Sequence, residues 1–226
     1  MALLYYHFPI AILANGITEA SLINMVEYCI YSYMEEWAAT FTDACKELGL
    51  KNWNKEDCRA TFERYKNCRT KTSISREKYW QWRDNVENES DYSKLLLLAF
   101  LAVKSIVGKK NYVITNYDFL LARMAGDSVP RYKTTKGKKT LILPPHIEHI
   151  NTRRRLEQIR EDLRKKYHVA TWGQQGLRGF AISTKLEEVD LAHMVATNGT
   201  KSKVQLAKER KDNVKAKLKE LQGLNG

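Results

Sequence analysis

The stretch Leu95 to Val107 is apolar on nearly every side and stops at Gly108. A helix without a polar face is stable only where other elements cover it all round, so this segment is expected to be the central buried helix of its domain. Its longest apolar run, LLLLAFLAV from Leu95 to Val103, is too short to cross a bilayer. No membrane partner is therefore expected. The opening MALLYYHFPIAILANG lacks a basic region and is interrupted by His7 and Pro9, which does not fit a secretory signal. The cytoplasm is the expected location.

Charge divides the chain unevenly. Of 226 residues, 38 are Lys or Arg and 26 are Asp or Glu, a formal net charge of +12. Residues 1–90 hold 11 basic against 13 acidic side chains, whereas residues 91–226 hold 27 against 13, about +14. A field that asymmetric favours an anionic partner, a DNA or RNA backbone ahead of an acidic membrane surface. It also argues for two units joined near NVENESD, Asn85 to Asp91, with residues 1–90 as a helical N-terminal domain, 91–184 as the basic domain and 185–226 as a charged helical tail. Cys29, Cys45, Cys58 and Cys68 form no C-x-x-C pair, so buried free thiols are expected rather than a disulfide framework or zinc site.

Local patterns fill in the elements. LLYYHFPIAIL, broken by Pro9, reads as an edge strand or extended segment. Thr18 is a plausible N-cap for a helix whose apolar stripe is Leu22, Ile23, Val26, Cys29, Ile30, Tyr33 and Trp37. Two shorter helices follow, Thr42 to Leu48 before Gly49 and Asn54 to about Asn67, and Arg76 to Val86 fits a strand or a short helix equally. After the central helix come the β-prone NYVIT and a capping-box pattern at Thr115 to Asp118 that opens a helix carrying Phe119, Leu120, Leu121 and Met124. A long basic connection with a Gly137 turn and a TLIL run can form a small hairpin of its own. NTRRRLEQIREDLRKK is the next helix, and YHVATW, a Gly173 to Gly176 turn and GFAIS read as two strands of a hairpin. A helix from Leu186 to Val195 and a charged terminal helix complete the chain. The fold class is mainly α with a small β component.

The order from Leu95 to Thr184 (helix, short strand, helix, long loop, helix, strand, turn, strand) resembles the winged-helix variant of the helix-turn-helix found among transcription regulators and phage or plasmid replication initiators. The resemblance implies that Asn151 to Tyr167 is a recognition helix for the major groove of double-stranded DNA and that the hairpin is a wing. Along this helix Leu156, Ile159, Leu163 and Tyr167 form one apolar stripe, which leaves Arg154, Gln158, Glu161 and Lys165 on the opposite face. Arg, Gln and Glu match the edges of guanine, adenine and cytosine, so Arg154, Arg155, Gln158 and Glu161 are the candidates for base contact. Arg153, Arg160, Arg164, Lys165, Lys166 and Arg178 are candidates for phosphate. So are Arg131, Lys133, Lys136, Lys138 and Lys139 in the basic connection, which could equally be a disordered loop. The competing reading is an ordinary solvated helix in which Glu157, Glu161 and Asp162 pair with their basic neighbours.

No enzymatic motif stands out. The chain has neither G-x-x-x-x-G-K-[ST] nor H-E-x-x-H, and the HIEH of His146 and His149 lacks the P-C-x-x-C that a nucleobase deaminase requires. A non-enzymatic, sequence-reading DNA-binding protein without cofactor or metal is expected, serving replication initiation or transcriptional control of a phage or mobile element. The N-terminal domain, rich in Tyr and Trp, would supply a homo-oligomer or partner surface; its leading strand and helices also permit a second, degenerate winged helix. The alternative is a scaffolding protein whose basic half meets RNA, DNA or an acidic partner without sequence preference.

Overall fold

The computed structural model describes residues 4–173 and 179–197. Strand β1 (Tyr5–Pro9) and a 3-10 turn, Ile10–Leu13, precede helices α1 (Glu19–Trp37), α2 (Phe41–Leu48) and α3 (Lys55–Tyr65). The Thr18 hydroxyl accepts from the Ser21 amide while the Ser21 hydroxyl accepts from the Thr18 amide, a reciprocal cap that starts α1. Gly49, at φ +68°, closes α2 in the left-handed conformation, and the Asn54 side chain caps α3. Helix α1 buries Leu22, Met25, Val26, Cys29 and Ile30. The expected stripe does not hold to its end: Trp37 is 65% exposed, because the last turn of α1 projects past the elements it packs on.

Strand β2 (Lys71–Ser75) has no counterpart in the sequence reading. It pairs antiparallel with β1, setting Tyr6 opposite Ile74 and Phe8 opposite Thr72. Arg76 to Val86, which fitted strand or helix equally, is helix α4 (Arg76–Asn85), started by the Ser75 hydroxyl. Tyr79 and Trp82, three residues apart, face the core, which is a helical spacing.

Ser90 caps α5 (Asp91–Val107), which buries Leu95, Leu96, Leu97, Leu98, Ala99, Leu101, Ala102 and Val103. It packs against β2 and the 3-10 turn on the N-terminal side of the chain, and against the elements that follow it. The Thr72 hydroxyl donates to the Leu101 carbonyl at 2.8 Å, and Lys104 Nζ donates to the Ser73 carbonyl at 2.7 Å. Residues 86–90, where the sequence places a boundary, form a turn, and one hydrophobic cluster runs across it from Tyr6 to Ile182.

Strand β3 (Val113–Thr115) leads to α6 (Tyr117–Met124). The cap of α6 is Asn116, whose side chain accepts from the Phe119 amide, and not Thr115. Thr115 is the last residue of β3, buried and paired in register with Phe180, so the helix starts one position later than the pattern predicts. The basic connection is ordered as strands β4 (Tyr132–Thr135) and β5 (Lys138–Leu141), joined by Lys136 and Gly137 at φ +50° and +75°, the signs a two-residue hairpin turn demands. Short α7 (Pro145–Glu148), α8 (Arg153–Tyr167), β6 (Ala170–Trp172), β7 (Phe180–Ser183) and helix α9, residues 188–197, follow. Strands β3, β7 and β6 form an antiparallel sheet with β7 in the centre. Leu191 and Val195 of α9 pack on Ala170 and Ala181 in a small second cluster. Among the described residues no helix is long and apolar enough to cross a membrane.

Two glycines distinguish strain from space. A Cβ on Gly179, at φ +134°, would stand 2.0 Å from the Thr115 carbonyl oxygen, whereas one on Gly137 meets nothing within 4 Å. Gly137→Ala is expected to cost about 1 kcal/mol of unfolding free energy from its positive φ alone. Gly179→Ala must also push β3 from β7, and should cost more than about 3 kcal/mol by urea denaturation.

Candidate nucleic-acid interface

Helix α8 is oriented by what it buries. Leu156, Ile159, Leu163 and Tyr167 are all inaccessible or nearly so, and the Tyr167 ring stacks on Phe100 of α5 with centroids 4.4 Å apart. Each such side chain contributes about 1.5–3 kcal/mol on burial, so rotation of the helix about its axis is strongly opposed. Thr152 caps the start and His168, at φ +53°, turns the chain away at the end. The side opposite the stripe carries Arg154, Gln158, Glu161 and Lys165, as its periodicity predicts, with Arg154, Gln158 and Lys165 exposed and Glu161 half-buried.

The two flanks differ in chemistry. On the flank beside α5, the Tyr92 hydroxyl donates a short hydrogen bond to Asp162 Oδ2, and Gln158 Nε2 donates to the same oxygen at 3.0 Å. These two donors hold the Asp162 carboxyl below its ordinary pKa. Burial, then Asp162 itself, pushes the Tyr92 phenol up to about 12. Lys78 Nζ lies 4.4 Å over the Tyr167 ring, and burial, aided by Lys166, lowers its pKa.

On the flank beside the sheet, Arg153 pairs with Glu157 at 2.8 Å and Arg164 grips Glu161 through Nε at 3.0 Å and Nη2 at 2.7 Å. Lys165 reaches Glu161 at 3.3 Å, and Arg164 reaches Glu188 of α9 at 3.9 Å. The Arg160 guanidinium lies 5.9 Å over the Phe180 ring. Exposed pairs of this kind are worth about 0–1 kcal/mol, little enough for a phosphate to displace the carboxylate. Among the described residues, the side chains of Arg154 and Arg155 have no hydrogen-bond or ion-pair partner.

The predicted base-contact residues thus separate into two groups. Arg154 and Arg155 are unpaired at the start of α8, while Gln158 and Glu161 are engaged within the helix. Of the predicted phosphate contacts, Arg153, Arg164 and Lys165 are paired with carboxylates, and Lys166 Nζ lies 5.9 Å over the Tyr167 ring. Arg178 lies outside the described residues.

The hairpin carries the second basic group on strands exposed at every position but the buried Leu141. Lys133, Lys136 and Lys138 extend into solvent, Lys139 Nζ lies 4.6 Å over the Tyr132 ring, and Arg131 pairs with Asp127 at 2.8 Å. The Tyr132 hydroxyl donates to Asp118 Oδ2 at 2.7 Å, which ties the hairpin to the first turn of α6. In that same turn Tyr117 packs on Phe180 at 5.1 Å, and the Arg160 charge opposes the rise that burial imposes on the Tyr117 phenol. Through α6, therefore, hairpin and α8 are linked.

Three aromatic residues escaped the sequence reading. Tyr92 lies between the segment read as a connector, Asn85 to Asp91, and the apolar run that begins at Leu95, and no periodicity marks it. Trp172, 37% exposed at the end of β6 beside Arg160 and Arg164, and Tyr132 among lysines do carry a signal: exposed aromatics interleaved with basic residues suit bases and backbone together. Cys29 and Cys58 are buried thiols, and burial raises both, Cys58 to about 12. Among the described residues no group of three or more His, Cys, Asp or Glu is placed to hold a metal ion.

Arg164 and Lys165 together hold the Glu161 carboxyl down to about 2. Carboxyl carbon NMR should give Glu161 a titration midpoint near that value, and Arg164→Ala should move it up toward the ordinary glutamate range near 4.3. A midpoint that does not move would mean that the fork is not formed in solution.

Comparison with known proteins finds no matching family model, no matching curated protein and no matching solved structure.

Proposed function

We propose that residues 91–184 form a winged helix that reads double-stranded DNA, with α8 as recognition helix and the β6–β7 hairpin as wing. The observation that carries this reading is the orientation of α8: with its apolar stripe buried on α5, its first turn presents Arg154 and Arg155 without a partner among the described residues, and further along the helix Arg160 and Arg164 lie beside Trp172 at a sheet edge. The succession α5, β3, α6, α8, β6, β7 with β7 in the centre of the sheet supports it, as does the excess of about +14 charges beyond residue 90. Phosphate neutralisation by Arg153, Arg160, Arg164 and the hairpin lysines supplies affinity, and the bidentate fork of Arg154 or Arg155 on guanine supplies specificity. The protein acts without catalysis, in replication initiation or transcriptional control of a phage or mobile element. The N-terminal elements, where Leu4 and Trp37 stand exposed, serve oligomerisation or a partner.

One observation favours a second reading, that of a scaffolding protein binding nucleic acid without sequence preference: Gln158 and Glu161 are both engaged by neighbours on their own helix. Two substitutions separate the readings. Arg154→Ala should cost about 1–3 kcal/mol on a preferred duplex and relax selection at one base position. Lys138→Ala should weaken all duplexes alike and reduce the salt slope by about 1. Equal losses from both variants on preferred and random duplexes would overturn the assignment of Arg154 to a base.

A further inference from the structure

A cavity of about 700 Å³ lies against the N-terminal half of α8, between the turn that precedes α1, the first turns of α5 and the segment joining α7 to α8. This is the size of a small-molecule site, about 300–1,000 Å³. Its apolar wall is made by Ile17, Leu95, Leu98, Ile150 and Ile159, all of them core side chains whose positions are fixed by packing. Its polar side holds Lys94, Arg155, His146 and His149, with Asp91 as the one carboxylate.

Three features of that polar side point to the charge of an occupant. Arg155 has no carboxylate partner among the described residues, unlike Arg153 and Arg164 on the same helix. The Asp91 carboxylate lies in the first turn of α5, where the helix amides already favour its negative charge. The Nε2 atom of His146 is buried and makes no hydrogen bond to the described residues, while burial and the neighbouring His149 lower the pKa of its imidazole. A neutral imidazole with a buried, unsatisfied nitrogen is poised to bond an oxygen that brings its own charge partner, and Arg155 with Lys94 supplies that partner.

We propose that this cavity binds a small amphipathic monoanion, an aliphatic carboxylate whose chain lies on Leu95, Leu98 and Ile159 and whose head group is held by Arg155 and Lys94 with a hydrogen bond from His146. The site unites residues 15–18 with α5 and α8, so an occupant clamps the N-terminal segment to the helix assigned above to DNA. Arg155 and Gln158 belong to both surfaces, and an occupied cavity draws them away from a duplex. The binding itself does not rest on the DNA reading and is measured without DNA.

Calorimetric titration of the full chain with octanoate, 1-octanol and octylammonium tests the proposal. Octanoate is expected to bind saturably at one site per chain, and octylammonium not to bind below about 1 mM. The variants Arg155→Gln and Lys94→Gln, both at surface positions, should each weaken octanoate at least about tenfold. His146→Phe keeps the ring volume while removing the nitrogen, and should weaken octanoate without creating affinity for octylammonium. Ile17→Phe should block the cavity; if it fails to fold, the two charge variants decide. Absence of octanoate binding, equal binding of the cation, or affinity unchanged in both Arg155→Gln and Lys94→Gln would overturn it.

Discussion

Helix α5 has no face that water can cover without cost, and the remaining elements are arranged by the need to enclose it. Strand β2 and the 3-10 turn close it on one side, α6, α8 and β7 on the others. That enclosure draws sequence-distant segments together: the Thr72 hydroxyl and the Ser73 carbonyl bond to α5, and Phe100 of α5 stacks on Tyr167 of α8. A chain that is acidic before residue 90 and basic after it therefore shares one hydrophobic cluster.

The same burial makes electrostatics directional. Fifteen residues of α8 include seven Arg or Lys, and a helix with that composition could turn any side outward. Because Leu156, Ile159, Leu163 and Tyr167 must lie on α5, its basic residues are sorted by position rather than by type. On the sheet side Arg153 and Arg164 acquire carboxylate partners from α8 and α9 and Arg160 lies over Phe180, whereas Lys166 lies over Tyr167, and Arg154 and Arg155 have no partner among the described residues. Hairpin β4–β5 adds lysines on a separate exposed arm, anchored to α6 through Tyr132 and Asp118.

Much of this was legible in the sequence, and what was not shares a physical cause. Features set by neighbours in the chain read well: the α8 stripe follows from a period of 3.6, the Thr18 cap and the Gly49 stop from local hydrogen bonding, and the β4–β5 turn from Gly137. Features set by distant partners did not. Strand β2 buries only Thr72 and Ile74, too little alternation to stand out, and it exists because β1 lies beside it. Asn116 rather than Thr115 caps α6, because the pairing with β7 extends the strand β3 through Thr115. The bond from Tyr92 to the carboxylate that Gln158 also engages could not be foreseen, since Tyr92 lies 70 residues from Asp162. The cavity beside α8 is assembled from four separate stretches and leaves no mark in any one of them.

The outward face of α8 is proposed to read base sequence rather than charge alone. Selection of duplexes from a random pool, followed by competition of the selected labelled duplex against bulk DNA at physiological salt, tests it most directly. The expected result is an enriched site that resists displacement by a mass excess of bulk DNA, with a preference of at least about 10³. Displacement of the selected duplex as readily as of random sequence would contradict it.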